Sequence, residues 1–323
     1  MKISAFSLSI LLIVTLKLAK VCATCQLAPL PSTTTVCEVE KELNDKLKKL
    51  KDHSNRTKNL IITVGPPASG KTSAVDNVQN QAYLGLFDPS LEPRKIIVDD
   101  IVSSFPEFQQ EIGHVKTILL KALDIKPEKV ENLTEEELNE LAKKLTPAAA
   151  DLVCAASTSV YYSNCSWADA KSSSLLLEAI LSDTPHDIIY EATGNDGSMP
   201  WVKQVADLGK KYGYHTVVIY PVAPLDELIS RSRQRAIKGE GRLPCEDNIK
   251  ATAEQAQAQL ITLMNEVTKG NSPIDYVFVV DKGGHKGQVA TKLESGQQLE
   301  YICNNALKVN AEFYKKLPGY TCG

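Results

Sequence analysis

One run of eight residues constrains the fold of this chain more than any other feature. It satisfies the pattern G-x-x-x-x-G-K-[ST] at every fixed position and consists of Gly65, Pro66, Pro67, Ala68, Ser69, Gly70, Lys71 and Thr72. In such a loop the backbone N–H groups point at a phosphate chain, the lysine reaches the outer phosphates and the threonine hydroxyl is a ligand of Mg²⁺. An apolar run precedes the loop and a segment of helical character follows it. The order of strand, loop and helix therefore predicts a phosphate site at a helix N-terminus.

Further apolar runs predict that this loop belongs to a parallel sheet. They are continuous rather than alternating, which is typical of strands covered on both faces, and helical stretches separate them. We therefore predict an α/β fold of the P-loop NTPase type, a parallel sheet flanked by helices, with a helical insertion and a C-terminal extension. The predicted strands cover residues 60–64, 95–99, 187–191, 216–220 and 276–280.

The chain is expected to divide into four parts. The P-loop domain covers 60–282, with the helical insertion at about 113–183, and residues 1–23 form a separate N-terminal segment. A Pro/Ser/Thr-rich linker and a helix occupy 24–59, and a polar extension, 283–323, ends in a helix near 305–316. Thr134 begins a capping-box pattern that predicts one helix of the insertion, and residues 172–181 predict another.

Residues 1–23 are typical of a cleaved secretory signal. Two residues with one lysine precede 14 uncharged residues, and small residues follow up to Ala23. The uncharged stretch is short for a membrane span, so we expect a secreted protein without a membrane segment; an N-terminal anchor or a buried strand is the alternative. Cleavage removes three lysines and no acid, which takes the formal charge from −3 to −6. Such a charge gives no general attraction to nucleic acid.

Cysteines and sequons are compatible with export. Seven cysteines follow the predicted cleavage site, so disulfides are plausible and one cysteine is left unpaired or intermolecular. These are Cys25, Cys37, Cys154, Cys165, Cys245, Cys303 and Cys322. Glycosylation sequons occur at Asn55, Asn132 and Asn164, about as many as chance would place.

Acidic residues close two of the predicted strands. Ligands of parallel sheets bind beyond the carboxyl ends of the strands, where Asp99, Asp100 and Glu191 are expected. Asp99 is a candidate base for an acceptor hydroxyl, and Glu191 resembles an acid that orients Mg²⁺. Solvated turn acids are the alternative for the two aspartates, and a helix cap or a surface position is the alternative for Glu191.

Four arginines lie within the twelve residues 231–242. A guanidinium binds planar oxyanions through two hydrogen bonds and keeps its charge, which suits a phosphoryl group in transfer. Arg242 follows a Gly-x-Gly segment, so it is a candidate lid residue together with Arg235. A solvated basic helix face is the alternative.

Taken together, these motifs resemble those of the zeta-toxin-like P-loop kinases. The matching order is the 65–72 loop, Val98-Asp99-Asp100 followed by Phe105-Pro106-Glu107-Phe108, then 191–195, and finally Arg235 and 242–244. The resemblance implies ATP-dependent phosphorylation of a hydroxyl on a small molecule, often a nucleotide-activated sugar such as UDP-N-acetylglucosamine. It implies nothing about whether an antitoxin-like protein binds this chain.

The resemblance also implies a role for each matching residue. Lys71 and Thr72 would hold the phosphates and Mg²⁺ with the help of Glu191. Asp99, seven residues before Pro106, would be the base. Thr193 and Asp100 would contact the acceptor, and Arg235 and Arg242 would grip the phosphates.

Three departures from the family pattern concern the loop and the acceptor. Ala68 stands where the family usually has glycine, which is costly if that position needs a positive φ. Val102 replaces a residue that is often basic, and the stretch between Asp99 and Glu191 is long. The alternatives are therefore a polynucleotide 5′-hydroxyl kinase and a secreted nucleotide-binding effector without catalytic activity.

Overall fold

A seven-stranded sheet forms the centre of the molecule. The computed structural model describes residues 58–81, 93–182, 186–283, 287–301 and 310–320. In chain order the strands are β1 (Lys58–Val64), β2 (Arg94–Ile96), β3 (Ile188–Ala192), β4 (Tyr214–Val222), β5 (Tyr276–Asp281), β6 (Gln288–Glu294) and β7 (Glu300–Tyr301). Their spatial order is β2-β3-β1-β4-β5-β6-β7.

The first five strands of the chain pair in parallel, which confirms the predicted α/β class. The register places Thr63 of β1 beside Glu191 of β3, so the end of the predicted acid strand lies next to the start of the phosphate loop. Strands β6 and β7 add an antiparallel edge. This edge lies in the C-terminal extension, where the polar sequence did not predict strands.

Helices cover both faces of the sheet, as the continuous apolar runs predict. Alternate residues of β1 enter different cores: Leu60 and Ile62 pack with Val202 on one face, whereas Ile61 packs with Val75 on the other. The helices are α1 (Lys71–Gln81), α2 (Val98–Ser103), α3 (Pro106–Ala122), α4 (Pro127–Val130), α5 (Glu135–Lys144), α6 (Pro147–Leu181), α7 (Met199–Lys211), α8 (Leu225–Lys238), α9 (Glu246–Thr268) and α10 (Ala311–Tyr314).

The long stretch between β2 and β3 is helical. The capping box at the start of α5 is present, because Thr134 Oγ1 accepts from Glu137 N at 3.2 Å and Glu137 Oε2 accepts from Thr134 N at 2.8 Å. The predicted helix at 172–181 is the last part of α6, which has 35 residues. A separate apolar core, which includes Leu119, Leu138 and Ile237, packs these helices against α8.

A disulfide and a set of hydrogen bonds tie the same helices to α8 and to the segment that follows it. A disulfide joins Cys154 of α6 to Cys245, with 5.0 Å between the Cα atoms. The Arg233 guanidinium donates to the carbonyl oxygens of Ala142 at 2.8 Å and Leu145 at 3.2 Å. The helices inserted between β2 and β3 are therefore fixed to the arginine-rich part of the chain.

Several predictions lie outside the described residues. They are the signal peptide, the linker with its helix, the Asn55 sequon, and four of the cysteines: Cys25, Cys37, Cys303 and Cys322. The C-terminal helix expected near 305–316 lies partly outside them, and its described part is α10. Within the described ranges, no helix combines the length and the apolar character that a membrane crossing needs.

Candidate functional site

The 65–72 loop connects β1 to α1 and curls back over itself. Ser69 N donates to Pro66 O at 3.3 Å, and Gly70 has a φ of 82°. The Lys71 ammonium donates to the carbonyl oxygens of Gly65 and Pro66 at 3.3 and 3.4 Å. The lysine therefore lies across the loop, at the N-terminus of α1, where the helix dipole favours anions.

Ala68 has a φ of 60°, which lies in the left-handed region of the backbone. Alanine therefore stands at a position of the loop where the backbone has a positive φ. For a residue with a Cβ, this conformation costs about 1–2 kcal/mol. The loop keeps its curl in spite of this local strain.

Gly70 occupies a crowded position of the loop, where its positive φ also disfavours a side chain. A Cβ there would approach Lys282 Cε at 3.1 Å and Ser73 Oγ at 3.3 Å. The Lys282 ammonium donates to Ser73 Oγ at 2.9 Å and to Asn77 Oδ1 at 3.0 Å, and burial lowers its pKa. This lysine after β5 supports the first turn of α1, and no motif in the sequence indicates it.

Thr72 and Glu191 form the hydroxyl–carboxylate pair that the sequence predicts. Thr72 Oγ1 donates to Glu191 Oε1 at 3.0 Å. Burial raises the pKa of Glu191, and the nearby Lys71 and Thr72 offset part of that rise. Both side chains offer hard oxygen atoms, the ligand type that Mg²⁺ prefers when phosphates complete its coordination.

Asp99 and Asp100 do not end a strand. Strand β2 ends at Ile96, and both aspartates lie in the first turn of α2. Val98 already has a helical hydrogen-bond pattern, so the apolar run 95–99 is shared between a short strand and a helix. Asp99 Oδ1 accepts a hydrogen bond from Tyr161 Oη at 2.9 Å.

The four arginines of 231–242 divide into two pairs. Arg231 donates to Lys282 O at 2.6 Å, and Arg233 holds the inserted helices as described above. Arg235 and Arg242 instead line a cleft together with Lys71 and Thr72. The Arg242 guanidinium lies over the Tyr161 ring, with 3.9 Å from Cζ to the ring centroid. Arg242 is thus held on the inserted helix α6.

A cleft of about 320 Å³ brings most of the predicted site residues together. Of those residues, its lining includes Pro67, Ala68, Gly70, Lys71, Thr72, Asp99, Asp100, Glu191, Arg235 and Arg242. Gly65, Pro66 and Ser69 are buried in the loop instead. Thr193 is exposed outside this lining and donates to Ser198 Oγ at 3.1 Å.

The cleft also contains residues that sequence reasoning missed. Tyr161 and Phe108 contribute aromatic rings, and Ser232 is 3% exposed with no hydrogen-bond partner for its Oγ among the described residues. Phe108 was part of the matched motif, without a role. Tyr161 lies inside a long helix where no motif marks it, so only the three-dimensional arrangement reveals it.

The fold and the loop define a P-loop protein of the α/β class. An uncharacterized protein, L872 of Acanthamoeba polyphaga mimivirus, is 30% identical over 205 residues, which are 63% of this chain and 56% of the viral protein. The chain therefore spans little more than half the length of this relative. No protein-family model matches the chain.

Two solved structures are similar over most of the chain at low identity. One is from the PezAT chromosomal toxin–antitoxin system of Streptococcus pneumoniae, with 15% identity, 86% of this chain and 88% of that chain covered, and a TM-score of 0.46. The other is from AvrRxo1-ORF1:-ORF2 with ATP, with 10% identity, coverage of 90% and 70%, and a TM-score of 0.46. At this level of similarity, the proposals below rest on the geometry of the cleft.

Proposed function

We propose that this protein is a kinase that transfers the γ-phosphoryl group of ATP to a hydroxyl of a small molecule. One observation carries the proposal: a single cleft contains the phosphate loop, the Thr72–Glu191 pair, Asp99 and two arginines. Phosphoryl transfer needs positioned phosphates, neutralised charge and a base near the acceptor. The cleft offers a candidate for each of these requirements.

The nucleotide side would bind and orient ATP. Backbone N–H groups of the 65–72 loop and the Lys71 ammonium would hold the outer phosphates. Thr72 and Glu191 would hold Mg²⁺, which would supply positive charge to the phosphates. Burial raises the pKa of Glu191, whereas the nearby Lys71 ammonium favours the ionised carboxylate. A metal ligand requires this ionised form.

The acceptor side would supply the base and further positive charge. Asp99 would take the proton of the acceptor hydroxyl as its oxygen forms a bond to the γ-phosphorus. The bond from the γ-phosphorus to the bridging oxygen breaks, and its electron pair leaves with ADP. Arg235 and Arg242 would stabilise the charge on the transferred group.

The test is ATP turnover by the wild type and two variants in a screen of sugars, nucleotide sugars and oligonucleotides. We expect Lys71→Ala to lose both ATP binding and transfer. Asp99→Asn should keep ATP binding and lower transfer by about 10²–10⁴-fold, the usual contribution of a general base. A wild type that binds Mg·ATP and phosphorylates nothing in the screen contradicts the kinase function and favours the effector without catalytic activity.

The acceptor class is the finer part of the proposal. We propose a small hydroxyl compound, with UDP-N-acetylglucosamine as the first candidate because of the motif resemblance. Transfer to an oligonucleotide 5′-hydroxyl, in preference to any sugar, would favour the polynucleotide kinase instead. Competition by the oligonucleotide should then weaken as salt rises.

We also propose that the protein is secreted. The Cys154–Cys245 disulfide supports this, since such bonds persist mainly in oxidising compartments. Of two sequons, Asn132 is exposed, whereas Asn164 is 3% exposed within α6. In a eukaryotic secretory host we expect Asn132→Gln to lower the mass of the secreted protein by one glycan and Asn164→Gln to leave glycosylation unchanged. Retention of unglycosylated wild type inside the cells would contradict secretion.

A further inference from the structure

We propose that Tyr161 is a positioning residue of the acceptor side, which holds Asp99 and Arg242 in one fixed arrangement. This inference rests on the proposed kinase function. It concerns a residue from the inserted helices, which the phosphate-loop motif does not include. Its basis is that one side chain contacts both candidate groups.

The two contacts use different parts of the tyrosine. Its hydroxyl donates to Asp99 Oδ1 at 2.9 Å, and its ring lies under the Arg242 guanidinium at 3.9 Å from Cζ to the centroid. Phe108 packs against the same ring, with 6.2 Å between centroids and 62° between the planes. The phenylalanine limits the movement of the ring, so the two polar contacts share a constrained support.

The hydrogen bond determines which oxygen of the carboxylate is available. Oδ1 is occupied by the tyrosine, and Oδ2 accepts no hydrogen bond from the described residues. A base must present its free oxygen within hydrogen-bond reach of the acceptor proton, and errors of about 1 Å are costly. Tyr161 therefore turns Asp99 so that Oδ2 is left for the acceptor.

The ring of Tyr161 also fixes the position of the Arg242 guanidinium. A guanidinium over an aromatic face is attracted to it without losing its charge or its hydrogen-bond donors. In the described part of the structure, Asp99 and Arg242 form no direct ion pair. Tyr161 thus keeps the cation beside the base, while neither group neutralises the other.

The Cys154–Cys245 disulfide reinforces this arrangement. Cys154 precedes Tyr161 by seven residues of α6, which is about two helical turns, so both side chains lie on one face. Cys245, its disulfide partner, follows Arg242 by only three residues. The segment that carries Arg242 is therefore bound to the same face of α6 that presents the tyrosine ring.

The variants Tyr161→Phe and Tyr161→Leu separate the two contacts. The phenylalanine keeps the ring under Arg242 and loses the bond to Asp99, whereas the leucine loses both contacts. The probe is Mg·ATP alone, with transfer to water measured as phosphate release. Tyr301→Phe is the control, because that hydroxyl also donates a hydrogen bond, to Pro318 O at 2.9 Å, on the opposite edge strand of the sheet.

We expect Tyr161→Phe to lower kcat about tenfold and Tyr161→Leu about a hundredfold, with the KM for ATP and the Tm unchanged. In an Asp99→Asn background, Tyr161→Phe should have no further effect, because both changes act on one interaction. Tyr301→Phe should behave as wild type. A merely structural role would lower the Tm and would add to Asp99→Asn.

The outcomes distinguish this inference from the proposed function. If Tyr161→Phe turns over ATP as fast as the wild type, the positioning role is contradicted and the kinase function is not. An additive loss in the Asp99→Asn background contradicts it as well. A wild type that binds Mg·ATP, releases no phosphate and phosphorylates no acceptor of the screen contradicts the kinase function, and the positioning role with it. If the wild type phosphorylates an acceptor without releasing phosphate, the same variants are compared by their transfer to that acceptor.

Discussion

The two sides of the cleft are built in different ways. The nucleotide side consists of one contiguous loop and of Glu191, which lies on the strand that pairs with β1. The acceptor side is assembled from α2, the middle of α6 and the segment after α8, and a disulfide joins the last two. A local motif can therefore define the first side, whereas the second exists only when distant parts of the chain have folded together.

The largest expected effect is the loss of stability when the Cys154–Cys245 disulfide is removed, a change that concerns only the acceptor side of the cleft. In the chain-entropy model, a disulfide that closes a loop of 91 residues stabilises the folded state by about 4–5 kcal/mol. We expect Cys154→Ser, Cys245→Ser and the double variant to lose about the same free energy of unfolding, because each removes the same bond. Urea denaturation under non-reducing conditions measures this loss.

The two sides should also separate in function when the disulfide is lost. Below the unfolding transition, the Cys245→Ser variant should bind ATP as the wild type does and transfer phosphate more slowly. The free energy lost in the single variants should not add up in the double variant. Parallel loss of ATP binding and transfer in the folded variant would mean that the two sides are not independent.

A second prediction concerns Glu191 on the nucleotide side of the cleft. Replacement of this residue should raise the stability of the protein and lower its activity. Burial raises the pKa of Glu191, so the folded state binds a proton there more readily than the unfolded chain. The protonated Glu191 therefore contributes to the stability of the fold. This contribution is complete at pH values below the ordinary glutamate pKa, and it is lost as the pH rises through the folded-state pKa. Glu191→Gln carries no charge and escapes this loss.

We therefore expect Glu191→Gln to be more stable than the wild type at neutral pH and equal to it near pH 4, in buffer without nucleotide and Mg²⁺. Its phosphoryl transfer should fall about a hundredfold, since the variant removes the proposed Mg²⁺ ligand. Urea denaturation at both pH values and ATP turnover measure the two effects. If the wild type is instead more stable than the variant at neutral pH, the interactions of the ionised Glu191 carboxylate outweigh the cost of burying its charge.

The sequence predicts the nucleotide side of the cleft better than the acceptor side, because only the nucleotide side is encoded by residues close together in the chain. The loop, the five parallel strands and the acid of β3 are encoded locally, so periodicity and motif spacing predict them. Asp99 lines the cleft together with the loop, but the prediction that it ends a strand was wrong, because an apolar run does not show where a strand ends. The role of Tyr161 and the pairing of Cys154 with Cys245 depend on tertiary contacts, which no local pattern contains.

Thr193 lies apart from most of the other site residues that the motifs predict. The motif places it two residues after Glu191, yet its hydroxyl donates to Ser198 outside the lining of the cleft. The direction of the chain after β3 decides this, and the sequence does not specify that direction. The inserted helices instead provide the aromatic residues of the acceptor side.

The smallest expected effect concerns Ala68, the residue with the left-handed backbone in the loop. Ala68→Gly should relieve about 1–2 kcal/mol of strain and lose about 0.4–1 kcal/mol through the greater freedom of the unfolded chain. The net expectation is a gain in stability of about 0.5–1 kcal/mol without nucleotide, measured by urea denaturation. Ala251→Gly, at an exposed position of α9, is the matched control and should lose about 1 kcal/mol. If both variants lose stability equally, Ala68 is not strained in the folded protein.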